Sequence, residues 1–581
     1  MYQYKKILWL TLSCLLLVFA VAGCQMSVST DDLANAAVAS KRGGSFESQC
    51  VALGHAMESR IGSGELRRTT AGLNGDFTNT ALDGNLIQDQ VIISGGDEAM
   101  DNLVGFYEIE ELFAVPYYDA ADPNTATGEI RLYQLDPGTD VYRFIQEFNR
   151  TAVQEMGGIN DTTPFAEPNL VVHGPESPFV DTGGSGGKNT ILGTGGKNTI
   201  LGTGPDALFP LAVDSRNAAG EFSNQWAFSQ IGLMTNGQRN TTQNGDGVNI
   251  VVFDTSPMDT FGLQTIEWAA EPYELCNHSV IDTFGDGAQD QKGGSGDLLQ
   301  NHGLFVSGLS QAIAPASQIH LVQVLNDNMT GNLFTLLNGI DLFAQAQLET
   351  SGPQKTVFNM SLVISPARDF TYESGDHETQ TAQERYIDEL VAQGCDPTSV
   401  AMCRSINRYN SMGYVMVAAA GNLNLSETQY PASDARVIGV SGTTESGEKA
   451  CFANAGEVAA PAGNGLFDAS AQTCDLRLAQ VCPTSEICDS DGIRMIVSLA
   501  HPDTGYESGY VQWVGTSFAA PQVSGLAALS FAQQPDGQDF SVLQAGATQV
   551  SSDVMSGAVH IIQPPIPEIG SGVAQTGGKT P

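Results

Sequence analysis

Three side chains, widely spaced along the chain, could together break an acyl bond: Asp254, His302 and Ser517. Ser517 lies in Val514-Gly515-Thr516-Ser517-Phe518-Ala519-Ala520-Pro521, a small-residue turn that opens an apolar helix. A hydroxyl there sits beside backbone N–H groups and the positive end of a helix dipole. Such a serine can attack a carbonyl while nearby donors hold the oxyanion, although Gly-Thr-Ser turns also cap ordinary helices. Asp254 follows the apolar run 248–253. In doubly wound sheets that end of a strand collects functional side chains, but a carboxylate there equally caps a turn. His302 sits in Asn301-His302-Gly303-Leu304-Phe305-Val306-Ser307-Gly308-Leu309, the most apolar and glycine-flanked setting of the eight histidines. A hydrogen-bonded core histidine is the other reading. Asn422 follows Ala418-Ala419-Ala420-Gly421, where a strand stops and an amide can project, though asparagine often simply forms turns there.

The elements that must position these groups are visible as apolar, often β-branched runs at 248–253, 319–324, 356–359 and 414–420. Separated by helical stretches, they predict an α/β domain with a parallel sheet buried on both faces, over about 221–560. A second, smaller α+β unit is expected at 76–173. Within it 90–94, 129–135 and 165–172 read as strands, and 140–149 as a helix with Val141, Phe144, Ile145 and Phe148 at helical spacing. Between the two units, residues 174–220 contain Gly-Gly-Lys-Asn-Thr-Ile-Leu-Gly-Thr twice, at 186–194 and 195–203. A phosphate-loop reading fails, because Thr182 and Ile191 stand where its first glycine is required and asparagine follows each lysine. The segment reads as a flexible spacer, and the Pro/Gly-rich 561–581 as a disordered tail.

Sixty-five acidic against 25 basic residues give a formal net charge of −40. Such a surface repels nucleic-acid phosphates and anionic headgroups, so neither is expected as a partner. Residues 1–23 have the pattern of an export signal: Lys5 and Lys6, a short apolar run, then Val21-Ala22-Gly23 before Cys24. This end resembles a bacterial lipobox, which implies cleavage before Cys24, diacylation of its thiol, and attachment to a membrane at the cell envelope. Residues 24–75, polar and rich in small residues, read as the tether. Beyond Cys24 an even set of cysteines remains: Cys50, Cys276, Cys395, Cys403, Cys451, Cys474, Cys482 and Cys488. Disulfides are expected in an exported chain, and Cys395 with Cys403 is a tempting local loop. The lack of a CxxC pair argues against structural zinc.

Taken together, the segments resemble those of the subtilisin-like serine proteases (subtilases). Val251-Val252-Phe253-Asp254-Thr255 resembles that family's Asp-Thr strand, His302-Gly303 its histidine motif, and Phe358-Asn359-Met360-Ser361-Leu362 its substrate-binding strand. Ala419-Ala420-Gly421-Asn422 resembles its oxyanion segment, and Gly515-Thr516-Ser517 with Pro521 its nucleophile helix, in the family's order Asp, His, Ser. The resemblance implies a three-layer fold around a central parallel sheet, preceded by a small ferredoxin-like propeptide domain at 76–173 that both chaperones and inhibits. It implies an Asp254–His302–Ser517 triad, an Asn422 oxyanion donor, and peptide contacts at Ser361, Leu362, Ala420 and Gly421. Polypeptide substrates and structural calcium are implied too, with 282–290 as an acidic loop able to bind the ion. Leu304 replaces the usual threonine, Ser256-Pro257 the usual glycine and apolar pair, and Val363 a frequent cleft glycine. None of these removes a catalytic group. The rival readings are a subtilase fold kept only to bind protein, and an esterase; the latter favours a Gly-x-Ser-x-Gly elbow, which Ser517 does not have, and a serine ahead of the Asp and His.

Overall fold

A computed structural model describes residues 46–62, 86–174, 211–278, 299–364, 399–475 and 496–556, apart from short gaps within them. The first unit runs β1 (Leu86–Gly95), α2 (Asp97–Val104), β2 (Glu110–Tyr118), β3 (Ala126–Gln134), α3 (Val141–Met156) and β4 (Phe165–His173), after a helix α1 (Phe46–Gly62). Its strands form an antiparallel sheet in the order β4-β1-β3-β2, the βαββαβ arrangement of ferredoxin-like folds. One face of this sheet, through Val91, Ile93 and Tyr133, packs on Met100, Leu103, Ile145 and Phe148 of α2 and α3. The expected strands and helix match these elements, 129–135 and 140–149 overrunning β3 and α3 by one residue; β2 and α2 had no sequence expectation.

The large domain begins with a short strand β5 (Leu211–Ala212) and two short helices, Ala218–Ser223 and Trp226–Gln230. Its sheet contains β6 (Val248–Asp254), β7 (Gly262–Ile266), β8 (Tyr273–Asn277), β9 (Gln318–Gln323), β11 (Lys355–Met360), β13 (Val415–Ala419), β14 (Val437–Thr443) and β15 (Val458–Pro461), after a short β10 (Thr330–Asn332) and with β12 (Val363–Ile364) standing apart. The order is β15-β14-β13-β11-β6-β9-β8-β7, parallel except for the antiparallel edge strand β7. A last hairpin, β16 (Ile496–Leu499) with β17 (Tyr510–Trp513), takes β5 as its third strand.

Every residue of β6 is buried, as a parallel strand covered on both faces requires. Val248, Ile250 and Val252 face one core with α4 (His302–Ile313) and α7 (Thr516–Phe531). Val251 and Phe253 face another with α5 (Leu333–Ser351) and α6 (Val400–Ser411). These three layers are the subtilisin-like α/β architecture; α8 (Phe540–Met555) closes the described chain. Among the described residues no helix is long and apolar enough to cross a membrane.

The two units share one core. The second face of the small sheet, through Ile92, Phe113, Val115 and Leu132, joins Phe334, Leu337 and Ile340 of α5 in a single buried cluster. Strand β4 carries the polar part of this contact. Glu167 Oε2 accepts the Ala401 N–H (2.9 Å) at the start of α6, and Asn169 Oδ1 accepts the Phe334 N–H (3.1 Å) at the start of α5. Two helix termini of the large domain are thus satisfied by side chains of the small one.

The stretch expected to be a tether holds α1, which differs from that reading. Its buried Cys50, Leu53, Gly54, Ala56 and Met57 fall at helical spacing, but Gly54 among them and the polar residues at 47–49 and 58–60 on either side dilute the apolar signal. Cys50 is bonded to Cys276 of β8, joining α1 to the main sheet. Cys403 and Cys451 are disulfide-bonded as well; Cys395, the expected partner of Cys403, lies outside the described residues. Next to the Cys50–Cys276 bond, two buried imidazoles stack: His278 Nε2 lies 3.4 Å from His320 Nδ1, and His320 Nε2 lies 3.3 Å from Asn249 Oδ1. Burial pushes His278 down to about 3, and burial together with the neighbouring His278 holds His320 well below its usual value.

Below about pH 6.5 the unfolded chain therefore takes up protons that these folded imidazoles refuse, so stability falls as pH falls. The His278 ring contributes a slope of about 1.4 kcal/mol per pH unit between pH ~6 and ~4, and His320 acts in the same direction. Denaturant unfolding at several pH values checks this: His278→Phe should flatten the acid slope by about one imidazole's share, and an unchanged slope contradicts it.

Candidate active site

Asp254 is the last residue of β6 and His302 the first of α4, and their side chains meet at 2.7 Å between Oδ1 and Nδ1. Both side chains are fully buried. The same carboxylate oxygen accepts the Thr255 N–H at 2.7 Å. Thr255 then links strand to helix: its hydroxyl donates to the Gln300 carbonyl (2.9 Å) and accepts the Gly303 N–H (3.1 Å). Gly303 has to be glycine because a Cβ there would stand 2.1 Å from the Thr255 carbonyl oxygen and 2.9 Å from Asp254 Cβ. The imidazole is walled by the rings of Trp513 and Phe518, with centroids 5.4 and 5.3 Å away.

Ser517 is the second residue of α7 and is buried. Its Oγ donates to the Ser361 carbonyl at 3.3 Å, and Ser361 Oγ donates to the Ser517 carbonyl at 2.8 Å. Asn359 Nδ2 donates to Ser361 Oγ (3.0 Å) and its Oδ1 accepts from Ser524 Oγ (2.9 Å), so β11 and α7 are tied at two levels. Ser361 and Leu362 lie between β11 and β12, directly beside the serine helix.

Asn422 reaches the same helix. Its Oδ1 accepts from both the N–H (3.0 Å) and the hydroxyl (2.8 Å) of Thr516, which fixes the amide with its NH2 turned from that residue. Ala420 and Gly421, expected to meet substrate, have their backbone groups bonded within the chain. The Ala420 N–H donates to Val440 and its carbonyl accepts from Gln429, while the Gly421 N–H goes to Thr516 Oγ1 and its carbonyl accepts from Asn454. Those bonds fix the loop that follows β13. Gly421 adopts φ 107°, and a Cβ there would stand 2.1 Å from Gln429 Oε1 and 2.4 Å from Asn454 Nδ2. Asn454 escaped the sequence reading, yet its Oδ1 accepts the N–H groups of Leu423 and Leu425, both at 2.9 Å, and its Nδ2 donates to Ala420. It belongs to no motif, and its only sequence signal is polarity between buried residues.

Strand β4 pairs with the strand that follows Ser361 and Leu362. Its residues Val171–His173 pair antiparallel with β10, and Val172 and His173 also pair with β12, so the end of β4 runs between the two. The Gly174 N–H continues the ladder to the Met329 carbonyl at 3.0 Å. An extended segment of the chain itself therefore lies between β10 and the strand β12 that follows Ser361 and Leu362.

A family model described as "Subtilase family" matches residues 277–556, a stretch that includes His302, Ser361, Asn422 and Ser517 and begins beyond Asp254. The chain carries a subtilase domain. Its relatives include a thermostable alkaline protease of Halalkalibacterium halodurans, 24% identical over 246 residues, 40% of this chain and 48% of that protein. They also include a thermophilic serine proteinase of Bacillus sp. strain AK1, 26% identical over 248 residues, 40% of this chain and 43% of that protein. The chain thus spans less than half the length of these relatives. Among solved structures, a cold adapted subtilisin-like serine proteinase aligns with a TM-score of 0.36 at 22% identity, covering 59% of this chain and 95% of its own.

The contact at Gly303 makes a direct prediction. Gly303→Ala should cost about 1–3 kcal/mol by overpacking, against the gain alanine normally brings to a helix. Denaturant unfolding reads the loss; a neutral or stabilising result would mean that strand and helix do not approach as described.

Proposed function

We propose that this chain is an exported serine endopeptidase in its uncut, self-inhibited form, using Asp254, His302 and Ser517. The observation that carries the reading is the buried Asp254–His302 hydrogen bond of 2.7 Å beside a helix whose Ser517 bonds the Ser361 carbonyl, just ahead of the strand β12 that pairs with β4. In this reading Asp254 holds the Nδ1–H tautomer of His302 and stabilises its imidazolium. His302 takes the Ser517 proton as the hydroxyl attacks a peptide carbonyl, then gives it to the leaving amine. Water resolves the acyl-enzyme by the same route. The Asn422 amide and the Ser517 N–H hold the oxyanion, and Ser361 and Leu362 offer backbone groups to an extended substrate by strand addition.

The front unit, residues 86–173, is in this reading a propeptide whose strand β4 occupies the substrate groove until the chain is cut beyond Gly174. Support comes from β4 lying between β10 and β12 and from its capping of α5 and α6. The buried Val172 on β4 favours an apolar side chain at that subsite. Lipid on Cys24 would place the enzyme at the cell envelope, and Cys24→Ala should move it to the soluble fraction. Residues 1–45 and the acidic loop 282–290 lie outside the described residues. Among the described ones, the cluster of three possible metal ligands is Cys276, His278 and His320. Its sulfur is taken by Cys50, and nitrogen and sulfur do not suit calcium, so that cluster is no cage for the ion. Calcium at 282–290 would be revealed by a lower thermal midpoint in EDTA, restored by added calcium.

A fluorophosphonate probe provides the deciding experiment. The mature protein should label and Ser517→Ala should not; a mature, folded protein that fails to label would instead be a subtilase fold that only binds protein. Asn422→Ala should lower kcat by 10²–10³-fold, about 3 kcal/mol, while KM moves little. Casein digestion set against p-nitrophenyl ester turnover then separates protease from esterase.

A further inference from the structure

We propose that the Cys50–Cys276 disulfide makes the front segment a lasting subunit of the protease, so that cutting the chain beyond Gly174 neither frees the inhibitory strand nor releases the catalytic domain from its amino-terminal attachment. The proposal rests on the self-inhibited reading for the cut itself, but not for the bond. Cys50 lies on α1, upstream of all four strands of the small sheet, and Cys276 lies in β8 of the main sheet. The bond therefore spans any cut between Gly174, at the end of the groove, and Leu211, which already pairs with β17 of the large domain.

The seat of α1 keeps this link closed. Both half-cystines are fully buried. Leu53, Ala56 and Met57 enter the same buried cluster as Phe343 and Ile340 of α5. Phe46 meets the edge of the His320 ring with centroids 5.6 Å apart, and a Cβ on Gly54 would stand 1.7 Å from Phe261, so helix and ring are in direct contact. A reductant reaches the sulfurs only when α1 lifts.

Three consequences follow. A cut front segment stays at an effective concentration on the order of millimolar beside the groove, which dilution does not change. Full activation then requires digestion of that segment or opening of the bond. In the second route a dithiol reductant exchanges with the disulfide, becoming a disulfide itself and leaving the Cys50 and Cys276 thiols. Finally, anything joined to the chain at Cys24 remains joined to the catalytic domain after maturation until the same bond opens.

The test uses the Ser517→Ala chain with the recognition sequence of a site-specific protease placed within the 186–203 repeat. After external cutting, a non-reducing gel should show one species of uncut mass and a reducing gel two fragments. Cys50→Ser in the same background should show two fragments without reductant. Two fragments from the unaltered cysteines without reductant overturn the proposal. Because the added protease makes the cut, the outcome does not depend on the chain's own activity; absent self-processing would appear separately, as an uncut band in the Ser517 chain. With Ser517 present, cutting followed by 1,000-fold dilution should raise fluorophosphonate labelling at least tenfold more in Cys50→Ser than in the disulfide form. An equal rise in both overturns the tethered inhibitor. If Cys50→Ser does not fold, reductant added to the folded, cut chain provides the same comparison.

Discussion

The close approach of β6 to the start of α4 is the constraint on which the site depends. A strand ending in a carboxylate and a helix beginning with an imidazole must come near enough for a 2.7 Å hydrogen bond inside a dry interior. Gly303 permits that approach by having no side chain, and the Thr255 hydroxyl holds it by bonding to both sides. A buried carboxylate is costly unless it is hydrogen-bonded, and the Thr255 N–H and His302 supply those bonds. The geometry that chemistry would use is therefore also the geometry that makes the buried acid tolerable.

The serine side is organised by a similar economy of polar groups. Asn359, Ser361, Ser524 and the Ser517 backbone form one chain of hydrogen bonds between β11 and α7. Asn422 and Asn454 do the same for the loop after β13. Side-chain amides recur because one asparagine can satisfy backbone donors and acceptors of an irregular loop, as buried loops require. Beside this frame the end of β4 completes a ladder with β10 and β12, and Glu167 and Asn169 finish two helices of the other unit. The small unit is built into the large one through its backbone, its apolar face and a covalent bond.

Much of this was legible in the residues. The four β-branched runs, the apolar helix after Thr516, and the glycine after His302 each carry a local signal, since period and small-residue placement depend only on neighbours in sequence. The helix α1 was not legible: its short buried face includes Gly54 and is flanked by polar residues, and it gains its place by packing on α5 rather than by propensity. Nor were the parts played by Ala420 and Gly421, whose backbone partners lie at Val440, Gln429, Asn454 and Thr516, far along the chain.

The residue types at 254, 302, 422 and 517 were determined by the sequence alone, as were the elements that carry them and the family whose motifs they match. Tertiary structure decided which of those groups meet, which cysteine pairs with Cys50, and where β4 comes to rest. The difference has a physical cause. Helix and strand periodicity are written in short windows, whereas a hydrogen bond between residues 48 positions apart, or a disulfide across 226, exists only after loops have closed and cores have packed.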